Sequence, residues 1–325
     1  MKIGALVATL LGLALAAAVF INSDMHAVAS ALASLGATGF AWVCYFFLFP
    51  TAVCAVAMRT LIDRPRPPLW GIFWARLCRN AGGDLLVFLP GVGEVLAIRS
   101  LALQGMAASA AAAVVVLDVT TELVAQLLFS LVGFALALSV LDHASLYWYA
   151  FGLSLLAAAA ATFAVAQRKG LFKLLDGLVN RLAINLPSAS AGMGQRIHES
   201  LVQMWANPAR LAWSITIHFG AWVLGVGEAW LALAFMGIHA PLEAIVALES
   251  LLFAVRSIAF AVPGALGIQE AAYVALSTAF GFAPEALLTV SLIKRARSIA
   301  LGVPVLASWQ VVEALRARRQ PNADT

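Results

Sequence analysis

Three cations lie close together in the middle of a long apolar stretch near the end of the chain. Lys294, Arg295 and Arg297 follow Glu285 by nine to twelve residues, and the stretch continues to residue 314. In a helix these side chains would lie about 14–18 Å from its start, which is the middle of a bilayer core about 30 Å thick. Three unpaired cations there would cost on the order of 8–10 kcal/mol. Carboxylates, a hydrated cavity or a bound anion must therefore compensate them.

Ionisable side chains also interrupt other apolar segments. Arg256 and Glu249 can lie on the same face of one helix. Asp118 and Glu122 are one helical turn apart, so they can also share a face. The acidic side chains available to the cations are Asp118, Glu122, Glu228, Glu249 and Glu270. Ionisable residues inside a membrane are functional-site hypotheses by default. The alternative is a set of ion pairs that hold the helices together, with Lys294 reaching toward a surface.

Guanidinium groups bind phosphate in a bidentate manner, so an anionic lipid headgroup is a suitable ligand for such a cluster. The residues predicted to contact the headgroup are Arg256, Lys294, Arg295 and Arg297. The residues predicted to form a polar cavity or gate are Glu94, Arg99, Asp118, Glu122 and Glu270.

The composition indicates where these charges must be positioned. Of 325 residues, 63% are hydrophobic and 11% are charged, and the mean hydropathy is +0.95; soluble domains carry roughly 25% charged residues. These values exclude a nucleic-acid-binding domain, a disordered chain and a disulfide scaffold. They predict an all-α integral membrane protein. The net charge of +4 is then explained by basic cytoplasmic loops rather than by a nucleic-acid partner.

The apolar runs predict six spanning helices within a single polytopic domain. Their predicted bounds are 3–21, 37–58, 108–141, 144–166, 211–235 and 285–314. The first run is longer than the apolar core of a signal peptide and lacks a clear cleavage site, so we expect it to be retained.

The distribution of charge predicts the topology. Lys and Arg are concentrated in loops 59–79 and 167–210 and in the tail after residue 314. The other loops contain no Lys or Arg, and their acidic residues are Asp24, Asp142, Glu243 and Glu285. By the positive-inside rule both termini are cytoplasmic, in the cytoplasmic (inner) membrane. Loop 167–210 also contains two amphipathic helices, of which the second, 196–205, ends before Asn207-Pro208. These helices either connect spans along the membrane surface or regulate the protein.

Two further apolar segments, 70–104 and 244–282, are interrupted by a Pro-Gly pair that is followed by Gly and Glu. The residues at the breaks are Pro90, Gly93, Pro263, Gly264 and Gly267. Paired interruptions of this kind point to the binding site of a transporter and are compatible with an inverted repeat. We expect re-entrant hairpins, one from each face, whose tips meet near the midplane. The alternative for the second segment is two ordinary spans, 242–262 and 268–283.

No catalytic or metal-binding motif is present. The three cysteines contain no CxxC, the five histidines have no metal-ligand spacing, and no GxSxG, HExxH or Walker motif occurs. We therefore expect neither a metal nor another cofactor. His218 is predicted to be hydrogen-bonded inside the bundle.

The broken segments resemble those of the lysylphosphatidylglycerol synthase transmembrane (flippase-like) family. The similarity covers residues 3–315, and its most specific part is VPGALGIQE at 262–270, together with Arg76, the stretch 80–99, Gly281 and Arg295. Residues 69–76 and 116–126 are most similar to the hopanoid-associated HpnL-type branch.

The resemblance implies a multi-pass inner-membrane protein that handles lipids. In the fused members of the family the membrane half translocates aminoacylated phosphatidylglycerol. We expect no enzyme activity here, because no counterpart of the soluble aminoacyl-transferase half is found in the chain.

The predicted function is binding and translocation of a lipid, either an anionic phospholipid or a hopanoid-related lipid. The alternative is an accessory protein that binds lipid or organises biosynthetic enzymes, such as those of hopanoid biosynthesis, without transport. A third alternative is a membrane-embedded transferase that uses Glu270 or Asp118 as a base.

Overall fold

The computed structural model describes residues 17–63, 66–89, 91–138, 143–169, 193–258 and 263–319, and their regular secondary structure is helical. After a short helical stretch at 17–22, these residues form ten α-helices. The helices are α1 (Met25–Leu61), α2 (Leu69–Leu85), α3 (Val92–Leu103), α4 (Ala108–Ala137), α5 (His143–Arg168), α6 (Met193–Trp205), α7 (Pro208–Phe235), α8 (Leu242–Ile258), α9 (Ile268–Ser277) and α10 (Pro284–Arg319).

Five helices are long and apolar enough to cross a membrane, which confirms the predicted all-α membrane class. They are Met25–Leu61, Ala108–Ala137, Tyr149–Gln167, Pro208–Phe235 and Pro284–Arg316. Each overlaps one predicted span. The other predicted span, 3–21, lies almost entirely outside the described residues.

The first long helix is divided at Gly36. That residue has φ +62° and ψ 175° inside α1, which places it outside the helical region. Glycine adopts positive φ without a steric penalty. The helical conformation of α1 is therefore continuous only from residue 37 onward.

Each broken segment forms two helices joined by a turn. The segment 70–104 contains α2 and α3, and 244–282 contains α8 and α9 with short 3-10 turns at Pro263–Ala265 and Thr278–Phe280. The glycines that directly precede α3 and α9, Gly91 and Gly267, have φ of +80° and +76°. Pro90 lies outside the described residues.

The helices α2 and α3 pack closely because both are glycine-rich where they touch. A Cβ added to Gly93 would lie 2.4 Å from the backbone oxygen of Arg79, and one added to Gly82 would lie 3.0 Å from Cα of Gly93. The sequence predicts Gly93 as part of the hairpin break, and the structure places it in this helix–helix contact.

We expect Gly93→Ala to destabilise the protein by about 1–3 kcal/mol, because the methyl group forces two backbones apart. The matched control is Gly83→Ala, whose Cβ meets nothing within 4 Å and which should be neutral or slightly stabilising. Thermal unfolding of both variants in detergent measures the difference. Equal melting temperatures would contradict the close packing.

The two halves of the bundle meet along α1 and α7, which run antiparallel. Arg210 at the start of α7 forms an ion pair with Asp63 just after α1. At the opposite end, a Cβ on Gly39 would contact the Phe235 ring at 3.0 Å. The helix α6 ends at Trp205, and Asn207 then caps α7 with Pro208 in its first turn, in agreement with the break predicted there.

The turns of the two hairpins touch each other inside the bundle. A Cβ on Gly264 would lie 2.8 Å from Cγ1 of Val87. The same turn of the first hairpin lies against α10, where Ser298 Oγ donates a hydrogen bond of 2.8 Å to Asp84. The packing of the bundle therefore brings the hairpin turns, at Val87 and Gly264, next to the cationic stretch of α10.

Candidate functional site

The three cations in the middle of α10 are each paired with a carboxylate from a different helix. The pairs are Lys294 Nζ with Glu249 Oε2 of α8 at 2.6 Å, Arg295 Nε with Glu270 Oε1 of α9 at 2.5 Å, and Arg297 Nε with Glu228 Oε1 of α7 at 2.8 Å. Carboxylates are thus the compensation that these charges require, and the three pairs attach α10 to three neighbouring helices.

Further contacts fix two of these carboxylates in place. The Tyr273 hydroxyl donates to Glu249 Oε1 at 2.6 Å. Glu270 accepts from Ser291 Oγ at 3.0 Å and from the backbone N–H of Gly267 at 2.9 Å. Because each carboxylate also accepts hydrogen bonds from neutral donors, the side chains of Glu249 and Glu270 are fixed in position.

Arg256 differs from the other cations. Its side chain is exposed, and its guanidinium lies 5.9 Å from the centre of the Phe253 ring. Among the residues that the structure describes, no carboxylate is within ion-pair distance of Arg256. Its positive charge is therefore available to a ligand.

A second ion-pair network surrounds Asp118 and Glu122. Both carboxylates contact Arg76, as expected for residues that share one helical face. Arg76 is only 2% exposed and Asp118 is fully buried. The contacts are Arg76 to Asp118 at 2.5 Å and Glu122 at 2.9 Å, Arg79 to Glu122 at 2.6 Å and Glu94 at 3.2 Å, and His218 Nε2 to Asp118 at 3.1 Å.

The prediction that Arg76 and Arg79 belong to a cytoplasmic loop is wrong. Both lie on α2, and their guanidiniums point into the bundle. Charge counting assigns a basic residue to a loop because the sequence does not show whether a carboxylate of another helix compensates its charge. The signal that could have found them is their spacing, since residues three apart lie on one helical face, as Asp118 and Glu122 do.

Cys54, Glu122 and His218 offer ligand atoms within 4.8 Å of one another. A cation at this position would have to compete with the two guanidiniums that already contact Glu122. The donor set therefore favours an ion-pair network over a metal site.

The two networks border a polar interior that consists of two adjoining cavities of about 350 and 250 Å³. Four residues line both cavities: Asp84, Arg256, Lys294 and Arg297. The larger cavity lies against both hairpin turns, at Val87 and Gly264. The smaller one extends to Arg76 and Glu122.

Asp84 was not among the predicted site residues. It is exposed to the cavities at the end of α2, where its carboxylate accepts the hydrogen bond from Ser298. Its position beside the Gly82-Gly83 pair and the Pro-Gly break is the signal that could have indicated it.

Not every predicted residue lies at these cavities. Arg99 forms an exposed ion pair with Glu313 near the end of α10 and lines neither cavity. Glu94 is 41% exposed and reaches the second network through Arg79. Glu270 lies behind Arg295, which lines the larger cavity.

The described helices form a membrane bundle in which two adjoining cavities border charged side chains and the turns of the two broken segments. The chain belongs to the family described as lysylphosphatidylglycerol synthase TM region, whose model matches residues 4–305. This membership indicates a function related to membrane lipids. Searches of curated proteins and of solved structures found no match.

Proposed function

We propose that this protein binds the phosphate group of a lipid headgroup in the central cavities and moves that lipid across the cytoplasmic membrane. The observation that carries the proposal is Arg256, a guanidinium without a carboxylate partner among the described residues, on a wall shared by both cavities. The larger cavity, of about 350 Å³, is within the roughly 300–1,000 Å³ usual for ligand sites, and the adjoining one, of about 250 Å³, is just below that range.

The ion pairs of α10 give Arg256 a distinct role. Lys294, Arg295 and Arg297 each form an ion pair with a carboxylate of their own. The negative charge of the ligand is therefore balanced by Arg256. Arg295 is 31% exposed, and its guanidinium can share a phosphate oxygen without leaving Glu270. The lipid phosphate therefore binds between α8 and α10, with Arg256 as its main contact.

The two hairpins enter from opposite faces of the membrane in this proposal. The first is flanked by the basic loops and the second by the acidic ones, and the contact between Val87 and Gly264 is compatible with turns that meet at the midplane. Both termini are then cytoplasmic, in the inner membrane. Non-helical backbone at that depth is tolerated where it borders a polar cavity.

A phosphate-bearing lipid is a better ligand than an unmodified hopanoid. A neutral hopanoid gives the Arg256 guanidinium no charged partner, and an unpaired charge in an apolar environment is unfavourable. The resemblance to the hopanoid-associated branch is compatible with a hopanoid-related lipid only where its headgroup carries an anionic group.

Reconstitution into vesicles tests the proposal. We expect the wild-type protein to move a fluorescent phospholipid between leaflets and Arg256→Gln to reduce that rate at least about tenfold, since hydrogen bonds to charged groups contribute about 1.5–3 kcal/mol. The control Arg318→Gln makes the same charge change at an exposed site on the tail and should leave the rate unchanged.

Two results would overturn the proposal. Equal rates of lipid movement for wild type and Arg256→Gln would show that Arg256 does not contact the lipid headgroup. Selective lipid binding without movement by any variant would support the accessory function instead of transport.

A further inference from the structure

The order of the helices repeats within the chain. The segment of α1 from residue 37, the hairpin α2–α3 and α4 correspond in order to α7, the hairpin α8–α9 and α10. The second helix of each hairpin follows directly after a glycine with positive φ.

The two repeats have opposite directions. The helices that open them, α1 and α7, pack side by side with the end of one beside the start of the other, as the pair between Asp63 and Arg210 shows. An antiparallel pair of equivalent helices defines an inverted repeat, the arrangement found in many transporters.

An ion pair occupies the same register in both repeats, with its charges exchanged. Arg76 is the eighth residue of α2 and contacts Asp118, the eleventh residue of α4, at 2.5 Å. Glu249 is the eighth residue of α8 and contacts Lys294, the eleventh residue of α10, at 2.6 Å. Each pair joins a hairpin to the helix that closes its own repeat.

A glutamate also occupies the same position in the second hairpin helix of both repeats. Glu94 and Glu270 are each the third residue of the second hairpin helix, and each contacts an arginine, at 3.2 and 2.5 Å respectively. The two repeats therefore match in register at three positions, two in the hairpins and one in the helix that closes each repeat, which makes chance similarity of the two Pro-Gly breaks a poor explanation.

Both exchanged ion pairs border the smaller cavity, one through Arg76 and the other through Glu249 and Lys294. Lys294 also borders the larger cavity, beside which the hairpin turns meet at Val87 and Gly264. The two ion pairs, the cavities and the hairpin turns are therefore neighbours in the bundle.

We propose that the two hairpins are the two gates of an alternating-access device, with Arg76–Asp118 as the inner ion pair and Glu249–Lys294 as the outer ion pair. The proposal rests on the proposed function and on the topology assigned with it. Equivalent gates of opposite direction allow two conformations related by the repeat, one open to each side of the membrane. Weakening one ion pair shifts the population toward the conformation open on that side.

The accessibility of Cys54 tests this directly, because its side chain lines the smaller cavity. The background carries Cys44→Ala and Cys78→Ala, so Cys54 is the only thiol. A membrane-impermeant maleimide is applied to intact cells for the outer side and to inside-out vesicles for the cytoplasmic side. No lipid substrate enters the measurement, so its failure is distinct from failure of the lipid-binding site.

Glu249→Gln should increase labelling of Cys54 from the outer side several-fold. Asp118→Asn should increase it from the cytoplasmic side; Arg76 retains Glu122 in that variant, which protects the fold. The exchanged pair Glu249→Lys with Lys294→Glu restores the outer ion pair and should return labelling to the wild-type pattern.

Opposite-sided changes in the two variants, with rescue by the exchanged pair, would support the proposal. Increases on the same side, or no change in both correctly folded variants, would overturn it.

Discussion

Arg76→Met should destabilise the protein by about 3–5 kcal/mol, the usual effect of removing one member of a buried ion pair. The guanidinium of Arg76 is 2% exposed and bridges Asp118 and Glu122. Without it, Asp118 is left buried with Arg79 at 3.3 Å and His218 at 3.1 Å as its ionisable partners among the residues that the structure describes. Thermal unfolding in detergent, followed by loss of the monodisperse peak, measures the effect.

The matched control is Arg99→Met, which removes an arginine from the neighbouring helix. Arg99 is 45% exposed in its pair with Glu313, and exposed pairs contribute about 0–1 kcal/mol. We therefore expect a melting temperature near that of the wild type. If both variants unfold at the same temperature, the network around Asp118 is not a structural element of the bundle.

Arg297→Met is expected to destabilise the protein by a similar amount, about 3–5 kcal/mol. Arg297 is 9% exposed, its partner Glu228 is 8% exposed, and its guanidinium also lies 3.8 Å from the centre of the Phe47 ring. The single substitution leaves the Glu228 carboxylate without its partner in an apolar part of α7. The pair joins α10 to α7, so its loss loosens the contact between the first and the last helix of the second repeat.

The double variant Glu228→Leu with Arg297→Met distinguishes a structural from a ligand-binding role. Replacing both members of a buried pair by apolar residues is often neutral or stabilising, so the double variant should be more stable than Arg297→Met alone. A double variant at least as unstable as the sum of the single ones would indicate that the two residues do not act as a pair.

Several elements of the fold could be predicted because they follow from local rules. Apolar runs of sufficient length predict the spans, and Gly36 divides α1 where the second predicted span begins. The Pro-Gly breaks coincide with turns between short helices because Gly91, Gly264 and Gly267 have positive φ and leave the helical conformation there.

The partners of the buried charges could not be predicted, because they depend on tertiary packing. The sequence identifies Lys294, Arg295 and Arg297 as charges that need compensation, and only the packing of α7, α8 and α9 around α10 shows that each has its own carboxylate. The same packing leaves Arg256 without an ion-pair partner among the described residues. In the sequence all four predicted headgroup residues are cations in apolar segments. In the folded chain three of them have a carboxylate partner and Arg256 has none among the described residues.

Charge counting placed Arg76 in a basic loop, but the residue lies buried on α2. Arg99, predicted to form part of a cavity or gate, pairs with Glu313 at the surface. The sign and density of charges along the chain report the side of the membrane, whereas the burial of a given arginine depends on which helix face its neighbours cover.

Native mass spectrometry of the protein extracted with its own lipids tests the central claim most directly. The wild type and Arg318→Gln should retain one class of phosphate-bearing lipid, and Arg256→Gln should lose at least about nine-tenths of it, the fraction that corresponds to a tenfold weaker site. The same lipid retained at the same level by all three proteins would contradict the assignment of Arg256 as the headgroup contact.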